Sequence, residues 1–241
     1  MPTTDSYALI FDMDGVLIDN TAYQARAFQL LFRDLGLTTN ARRLLERLNG
    51  MPATKILETV FANDVPKKQL TTYADQREFL YRTLYWEKRK EVPGLTEFLK
   101  AARTAGFKIG LGTGSGNDTI GYIIDHLNIR QYFDVVITKD DVDKGKPHAD
   151  TFSFTAHKLG VPPERCVVFE DALLGEQAAS KAGIRCIGVS TSLKPAQFQS
   201  PLAVIKDFTH LTPAHVLELL AQQPAIPKPS KELAKRRYMH T

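Results

Sequence analysis

The sequence predicts an α/β protein, a doubly wound parallel sheet interrupted after its first strand by a block of helices. Two observations carry this. Helical and short apolar segments alternate from residue 95 to residue 189, and one further apolar run, residues 7–11, stands alone ahead of a long stretch with helical spacing only. Alternation of that kind buries parallel strands between helices on both faces, a Rossmann-like arrangement.

The elements follow in order. Tyr7-Ala8-Leu9-Ile10-Phe11 is short, apolar and aromatic-rich, which predicts a buried strand, and Gly15 supplies the turn after it. Through residues 21–90 no strand is convincing: Ala22, Tyr23, Ala25, Phe28, Leu31 and Phe32 recur at helical spacing, as do Ile56 with Val60 and Phe79 and Leu80 with Leu84. After Pro93-Gly94 the expected helices cover residues 95–105, 120–127, 151–159, 173–182 and 214–220, and the strands 107–111, 135–137, 166–169 and 184–189. The lone first strand has no place except in the same sheet, so the helical block is an insertion. The expected division is residues 1–18 and 91–223 as core, 19–90 as a helical cap and 224–241 as a basic tail, with Pro93-Gly94 as a hinge.

Composition narrows the functional classes. A chain of 241 residues, 43% hydrophobic, can bury a substantial core. No run has the length of a membrane span and the N-terminus carries no basic, apolar leader, so a cytoplasmic protein is expected, without membrane partners. The net charge of +4 comes largely from Lys228, Lys231, Lys235, Arg236 and Arg237 in the tail, set against Glu232; elsewhere acids and bases balance, which speaks against a nucleic-acid footprint. Cys166 and Cys186 lie in apolar strand-like runs and are expected as buried, reduced thiols.

Four short segments carry chemistry. In Phe11-Asp12-Met13-Asp14-Gly15 two acids one residue apart follow a strand, at the sheet edge where open α/β folds bind ligands. One carboxylate there can attack phosphorus while the other moves a proton. A solvated turn is the alternative, and a calcium EF-hand loop is excluded because its glycine falls at the sixth position, not the fourth. Gly112-Thr113-Gly114-Ser115-Gly116-Asn117 offers small residues, hydroxyls and backbone amides that can cradle a phosphate, or an ordinary flexible turn; it has neither dinucleotide nor P-loop spacing. Lys146, before Pro147, can meet a phosphate or a nucleophile's charge, or be solvated. Glu170-Asp171, after Cys166-Val167-Val168-Phe169, can supply oxygen ligands to a hard cation such as Mg²⁺, or cap the next helix.

Taken jointly and in that order, these segments resemble the haloacid dehalogenase superfamily of phosphohydrolases over about residues 7–190. The resemblance implies Asp12 as nucleophile, Asp14 as general acid/base, Thr113 and Lys146 as phosphate clamps, and Asp171 as a Mg²⁺ ligand with Asp12 and the Asp14 backbone carbonyl. Glu170 is then a ligand or a support for one. Gly114, Ser115 and Asn117 join the phosphate loop. An acid at position 14 points to phosphoesters and away from haloacids, phosphonates and ion pumping. Within the superfamily the chain is similar to the β-phosphoglucomutase-like group with a helical, C1-type cap, through Phe-Asp-Met-Asp-Gly-Val-Leu and Glu-Asp-Ala-x-x-Gly. It departs from a true mutase in two places. Gln24 stands where a proton-relaying His is expected, and Asn49-Gly50-Met51-Pro52-Ala53-Thr54 lacks the Arg that anchors a phosphate. Arg77 matches a basic cap residue that contacts substrate, and Arg47 is a candidate replacement anchor. The expectation is a Mg²⁺-dependent phosphatase for a small sugar phosphate or pyrophosphate, acting through an aspartyl-phosphate, with a phosphosugar mutase as runner-up and a non-catalytic phosphate-binding module as a remote alternative. A monomer is expected, His148 as a solvated loop residue, and Trp86 with the cap's other aromatics as core or cap-interface packing.

Overall fold

The computed structural model describes residues 7–62 and 64–222; the basic tail expected from residue 224 lies outside them. Six strands, β1 (Ala8–Phe11), β2 (Lys108–Gly112), β3 (Val135–Ile137), β4 (Cys166–Glu170), β5 (Arg185–Val189) and β6 (Ala203–Ile205), form one all-parallel sheet in the order β3-β2-β1-β4-β5-β6. The first strand therefore sits at the centre, where the winding reverses. Crevices at such a reversal, beyond the carboxyl ends of the strands, are where these sheets take ligands.

Burial on both faces explains the sequence texture. Leu9 and Phe11 point into one apolar cluster and Ala8 and Ile10 into the other, and in β4 Val167 and Phe169 oppose Cys166 and Val168 in the same way. Phe11 stacks on Phe169 with centroids 4.7 Å apart, and Phe98 and Phe208 close over them. Both cysteines are free and buried, as expected.

Of the five α-helices between β1 and β2, the first four, α1 (Thr21–Asp34), α2 (Ala41–Leu48), α3 (Ala53–Phe61) and α4 (Lys67–Tyr85), are called the cap below. Their inward faces form a separate cluster around Phe28, Leu31, Phe32, Leu45, Leu57 and Leu70. The remaining helices are α5 (Leu95–Thr104), α6 (Asn117–Ile120), which continues as a π-helical turn over Gly121–Asp125, α7 (Asp150–Leu159), α8 (Leu173–Ala182) and α9 (Pro213–Gln222). The two crossings into the cap run side by side: Val92 donates to the Leu17 carbonyl at 2.9 Å and Ile18 bridges Glu91.

β6 was not foreseen, although Leu202-Ala203-Val204-Ile205 is apolar: the run is short, follows Ser200-Pro201 directly and forms a half-buried edge strand. Pro93-Gly94, expected as a hinge, packs against residues 208–209. Phe208 donates to the Pro93 carbonyl at 2.9 Å, and a β-carbon on Gly94, whose φ is 80°, would lie 2.6 Å from the Thr209 nitrogen. Tyr81 and Tyr85 are buried as expected, but Trp86 is 59% exposed and Phe79 66%. Trp86 lies at the junction of cap and core, its ring 6.0 Å from Tyr122 and 4.2 Å from the Arg89 guanidinium.

Candidate active site

Parallel registration brings the chemistry-bearing segments to one edge. Asp12 follows β1 and its amide donates to Phe169 of β4 at 3.0 Å; Thr113 follows β2 and its amide donates to Ile137 of β3 at 3.0 Å; Glu170 ends β4. Gly15 lets the chain turn there. Its φ is 75°, in the left-handed region that glycine tolerates, and a β-carbon would lie 1.9 Å from the Asp171 carboxylate.

Asp12, Lys146, Glu170 and Asp171 form a buried knot. The Lys146 ammonium lies 2.9 Å from Asp12 Oδ2 and 2.7 Å from Glu170 Oε1, and its other side faces the Phe152 ring at 4.8 Å. Asp12 Oδ1 is buried with no hydrogen-bond partner. The other Glu170 oxygen accepts from the backbone amides of Asp171 at 2.5 Å and Ala172 at 3.1 Å, so this residue braces the turn into α8 as well as pairing with lysine. Its side chain lies where a β-carbon on Gly175 would come within 1.6 Å of it, so only glycine fits. Asp171 accepts from Asn49 at 3.3 Å and from the Ser192 hydroxyl.

One cation faces three acids here. Burial pushes the Asp12 carboxyl up to about 7, with the charges of Glu170 and Asp14 adding and Lys146 opposing. Burial, then Glu170, likewise raises Asp171 well above the usual carboxylate range. Burial alone would lower Lys146, but the carboxylates of Asp12 and Glu170 outweigh it and hold its ammonium above the usual lysine range. Oxygens of Asp12, Glu170 and Asp171 lie within 4.8 Å of one another, so these three could hold a hard divalent cation. The orphaned Asp12 oxygen and the surplus of negative charge both fit such an ion. The Asp14 side chain lies outside this group.

Asp14 sits in different surroundings. Its Oδ1 accepts from Asn20 at 2.5 Å and Gln24 at 3.2 Å, and its Oδ2 from the Ser115 hydroxyl at 2.9 Å. All three donors are neutral. The Asn20 amide also meets the Tyr81 hydroxyl at 2.7 Å, which ties this corner to α4.

A cavity of about 510 Å³ opens between cap and sheet edge, lined by Asp12, Asp14, Gln24, Arg77, Thr113, Gly114, Ser115, Asn117 and Asp171 among others. Lys146 and Glu170 stand behind that wall. The structure thus brings together every site residue read from the sequence except Arg47, which lines a neighbouring cavity of about 340 Å³ instead. His148 is exposed and does not line the site, as expected. Sequence reasoning missed Asn20, Asn49 and Ser192. Asn20 reads as an ordinary start of α1, yet its side chain makes no cap hydrogen bond and serves Asp14 instead. Ser192 carried a usable signal, a hydroxyl just beyond the end of β5 at the same sheet edge.

Comparison with known proteins agrees with this geometry. Residues 9–189 match the family described as haloacid dehalogenase-like hydrolase. The chain is 32% identical over 181 residues to the fructose-1-phosphate phosphatase YqaB of Escherichia coli, covering 75% of this chain and 95% of that protein. It is also 32% identical over 187 residues to a phosphorylated carbohydrates phosphatase of Thermotoga maritima, covering 77% and 86%. The crystal structure of β-phosphoglucomutase from Clostridium difficile shares its fold with a TM-score of 0.81 at 24% identity, over 90% of this chain and 98% of that one. The sheet, the cap and the family match agree, and the chain belongs to the haloacid dehalogenase-like hydrolases.

Proposed function

We propose that the chain is a Mg²⁺-dependent phosphatase that passes the phosphoryl group of a small sugar-like phosphate to Asp12 and then to water. The observation that carries this is the divergence of two acids one residue apart. Asp12 is buried against a lysine with one oxygen free, whereas Asp14 lines the cavity among neutral donors. Separate surroundings support separate roles, nucleophile and proton carrier. Asp12 forms the bond to phosphorus as the ester oxygen departs, and that oxygen takes its proton from Asp14. In the second half Asp14 accepts a proton from water, water oxygen bonds to phosphorus, and the Asp12–phosphorus bond breaks to give inorganic phosphate. Thr113 and the backbone through Ser115 border the phosphate's place, and Lys146 holds Asp12 in its pose. A Mg²⁺ held by Asp12 and Asp171, with Glu170 beside them, would offset the repulsion between carboxylate and phosphate.

Water as acceptor is supported by Gln24. Its amide already donates to Asp14 and it has no titratable proton, so it cannot relay one to a sugar hydroxyl as a mutase requires. The names of the two phosphatase relatives support a sugar-like body for the substrate. The test is a phosphoester panel with Mg²⁺, run beside β-glucose 1-phosphate plus a bisphosphate primer. Released phosphate is expected; glucose 6-phosphate formed without it would overturn the assignment in favour of a mutase.

Metal binding has a pH signature. A carboxyl raised in the folded state favours folding at low pH, and that contribution is lost as pH rises through the folded value, so ionising Asp12 and Asp171 weakens the metal-free protein from about pH 4 to beyond 7. Lys146, raised as a base, loses its contribution only above the ordinary lysine range and leaves this window untouched. Protons compete with the cation for the same oxygens. Mg²⁺ is therefore expected to raise the melting temperature clearly at pH 8 and little at pH 5, read by thermal melts with and without chelator. Equal shifts at both pH values would place the ion elsewhere.

A further inference from the structure

Away from the phosphate end, the cavity wall carries an ion pair that has no part in the catalysis described above. Arg77 and Glu78 are neighbours on α4, where side chains point about 100° apart. Even so, their side chains bend together, and Arg77 Nη1 lies 2.7 Å from Glu78 Oε2. The pair is mostly buried, the side chains 10% and 25% exposed. Two further contacts hold it. The Arg77 guanidinium packs over the rings of Phe28 at 4.8 Å and Tyr81 at 5.5 Å, and Glu78 Oε1 accepts from the Thr119 hydroxyl of α6 at 2.7 Å. Glu78 therefore reaches from the cap to the helix that follows the phosphate loop with one oxygen, while its other oxygen pairs with Arg77.

The surrounding charges sharpen the consequence. Besides Arg77 and Glu78, the outer wall bears Asp75, Arg82, Asp118, Lys139 and Asp140, so its acids outnumber its cations by one. A substrate entering phosphate-first would bring a second anionic group into a wall without net positive charge, where Arg77 already has its carboxylate. Like-charge contacts in a partly desolvated site discriminate strongly.

We infer that Glu78 is a specificity-determining residue. By holding Arg77 as one half of an ion pair, it selects phosphomonoesters with a neutral, hydroxyl-bearing body and rejects those with a second phosphate or a carboxylate. This rests on the phosphatase reading above and names the substrate class of that site. The same neutralisation leaves a bisphosphate intermediate without an anchor in the cap, in keeping with transfer to water.

The experiment compares matched sugar pairs that differ only by a second phosphate, fructose 1-phosphate with fructose 1,6-bisphosphate among them. The wild type is expected to favour the monophosphate in kcat/KM. Glu78→Gln keeps an acceptor for Thr119 but releases Arg77, and should narrow the preference roughly tenfold, mainly through KM for the bisphosphate. Glu78→Asp keeps the charge and should retain the wild-type preference. Thr119→Val removes only the tether, and should leave the ratio unchanged even if both KM values rise. An unchanged ratio in Glu78→Gln, with its melting temperature near wild type, overturns the inference, as does a Thr119→Val shift as large as that of Glu78→Gln. No turnover of any pair by the wild type overturns the phosphatase reading itself, and this inference with it.

Discussion

Asp12→Asn is expected to lose turnover by about four orders of magnitude or more while keeping its fold. The amide matches the carboxylate in shape but does not attack phosphorus, and no other side chain at this edge has a comparable oxygen. Asp14 is engaged by three donors, and Glu170 by lysine and two backbone amides. Asp171 alone resembles Asp12, yet Asn49 and Ser192 hold it. Stability moves little for a specific reason. Breaking a buried ion pair ordinarily costs about 3–5 kcal/mol because a charge is stranded. Here Lys146 keeps Glu170 at 2.7 Å, and the lost charge belonged to a carboxyl that burial and two neighbouring acids had already pushed up to about 7. Melts in metal-free buffer at pH 8 should agree within about 5 °C between variant and wild type. Turnover within tenfold of wild type would remove Asp12 from the role of nucleophile.

How far the sequence led depended on what each residue needed in order to be seen. Asp12, Thr113 and Asp171 were legible because each follows an apolar run, and in a parallel sheet the ends of neighbouring strands share an edge. Lys146 was legible in type and order only. It comes from the loop between β3 and α7, and its reach to both Asp12 and Glu170 depends on packing against Phe152, which no local pattern encodes. Glu170 was ambiguous for a sound reason, since it does both things its sequence position allowed, bracing backbone amides and standing in the acidic group.

The cap was legible as helices but not as a surface. Helical spacing placed Phe28 inward correctly, yet Arg47 and Arg77, both arginines on amphipathic helices, ended at different cavities because the orientation of α2 relative to α4 is a tertiary fact. Trp86 packs between cap and core, as its type suggested, but past the end of α4 it stays half-open, set against Tyr122 and Arg89. Asn20 had no signal at all, because a buried amide and a helix-starting amide read alike.

Asp14→Asn carries the second large effect, and it separates the two halves of the reaction. An Asn at this position retains an oxygen for Asn20 or Gln24, and the Ser115 hydroxyl can reverse to accept, so the corner keeps its form. What it loses is the carboxylate proposed to take a proton from water, an expected loss of about 10²–10⁴-fold for general acid–base catalysis. Acetyl phosphate makes the loss one-sided, because its departing carboxylate needs no proton. The first half then proceeds while the second stalls. The decisive measurement is to mix this variant with acetyl phosphate and Mg²⁺, quench in acid and map the protein by mass. One phosphoryl group is expected to accumulate on the peptide that carries Asp12, and to be absent when Asp12→Asn is added. Phosphate released with no phosphoprotein at any time, or a phosphoryl group on another residue, would contradict it.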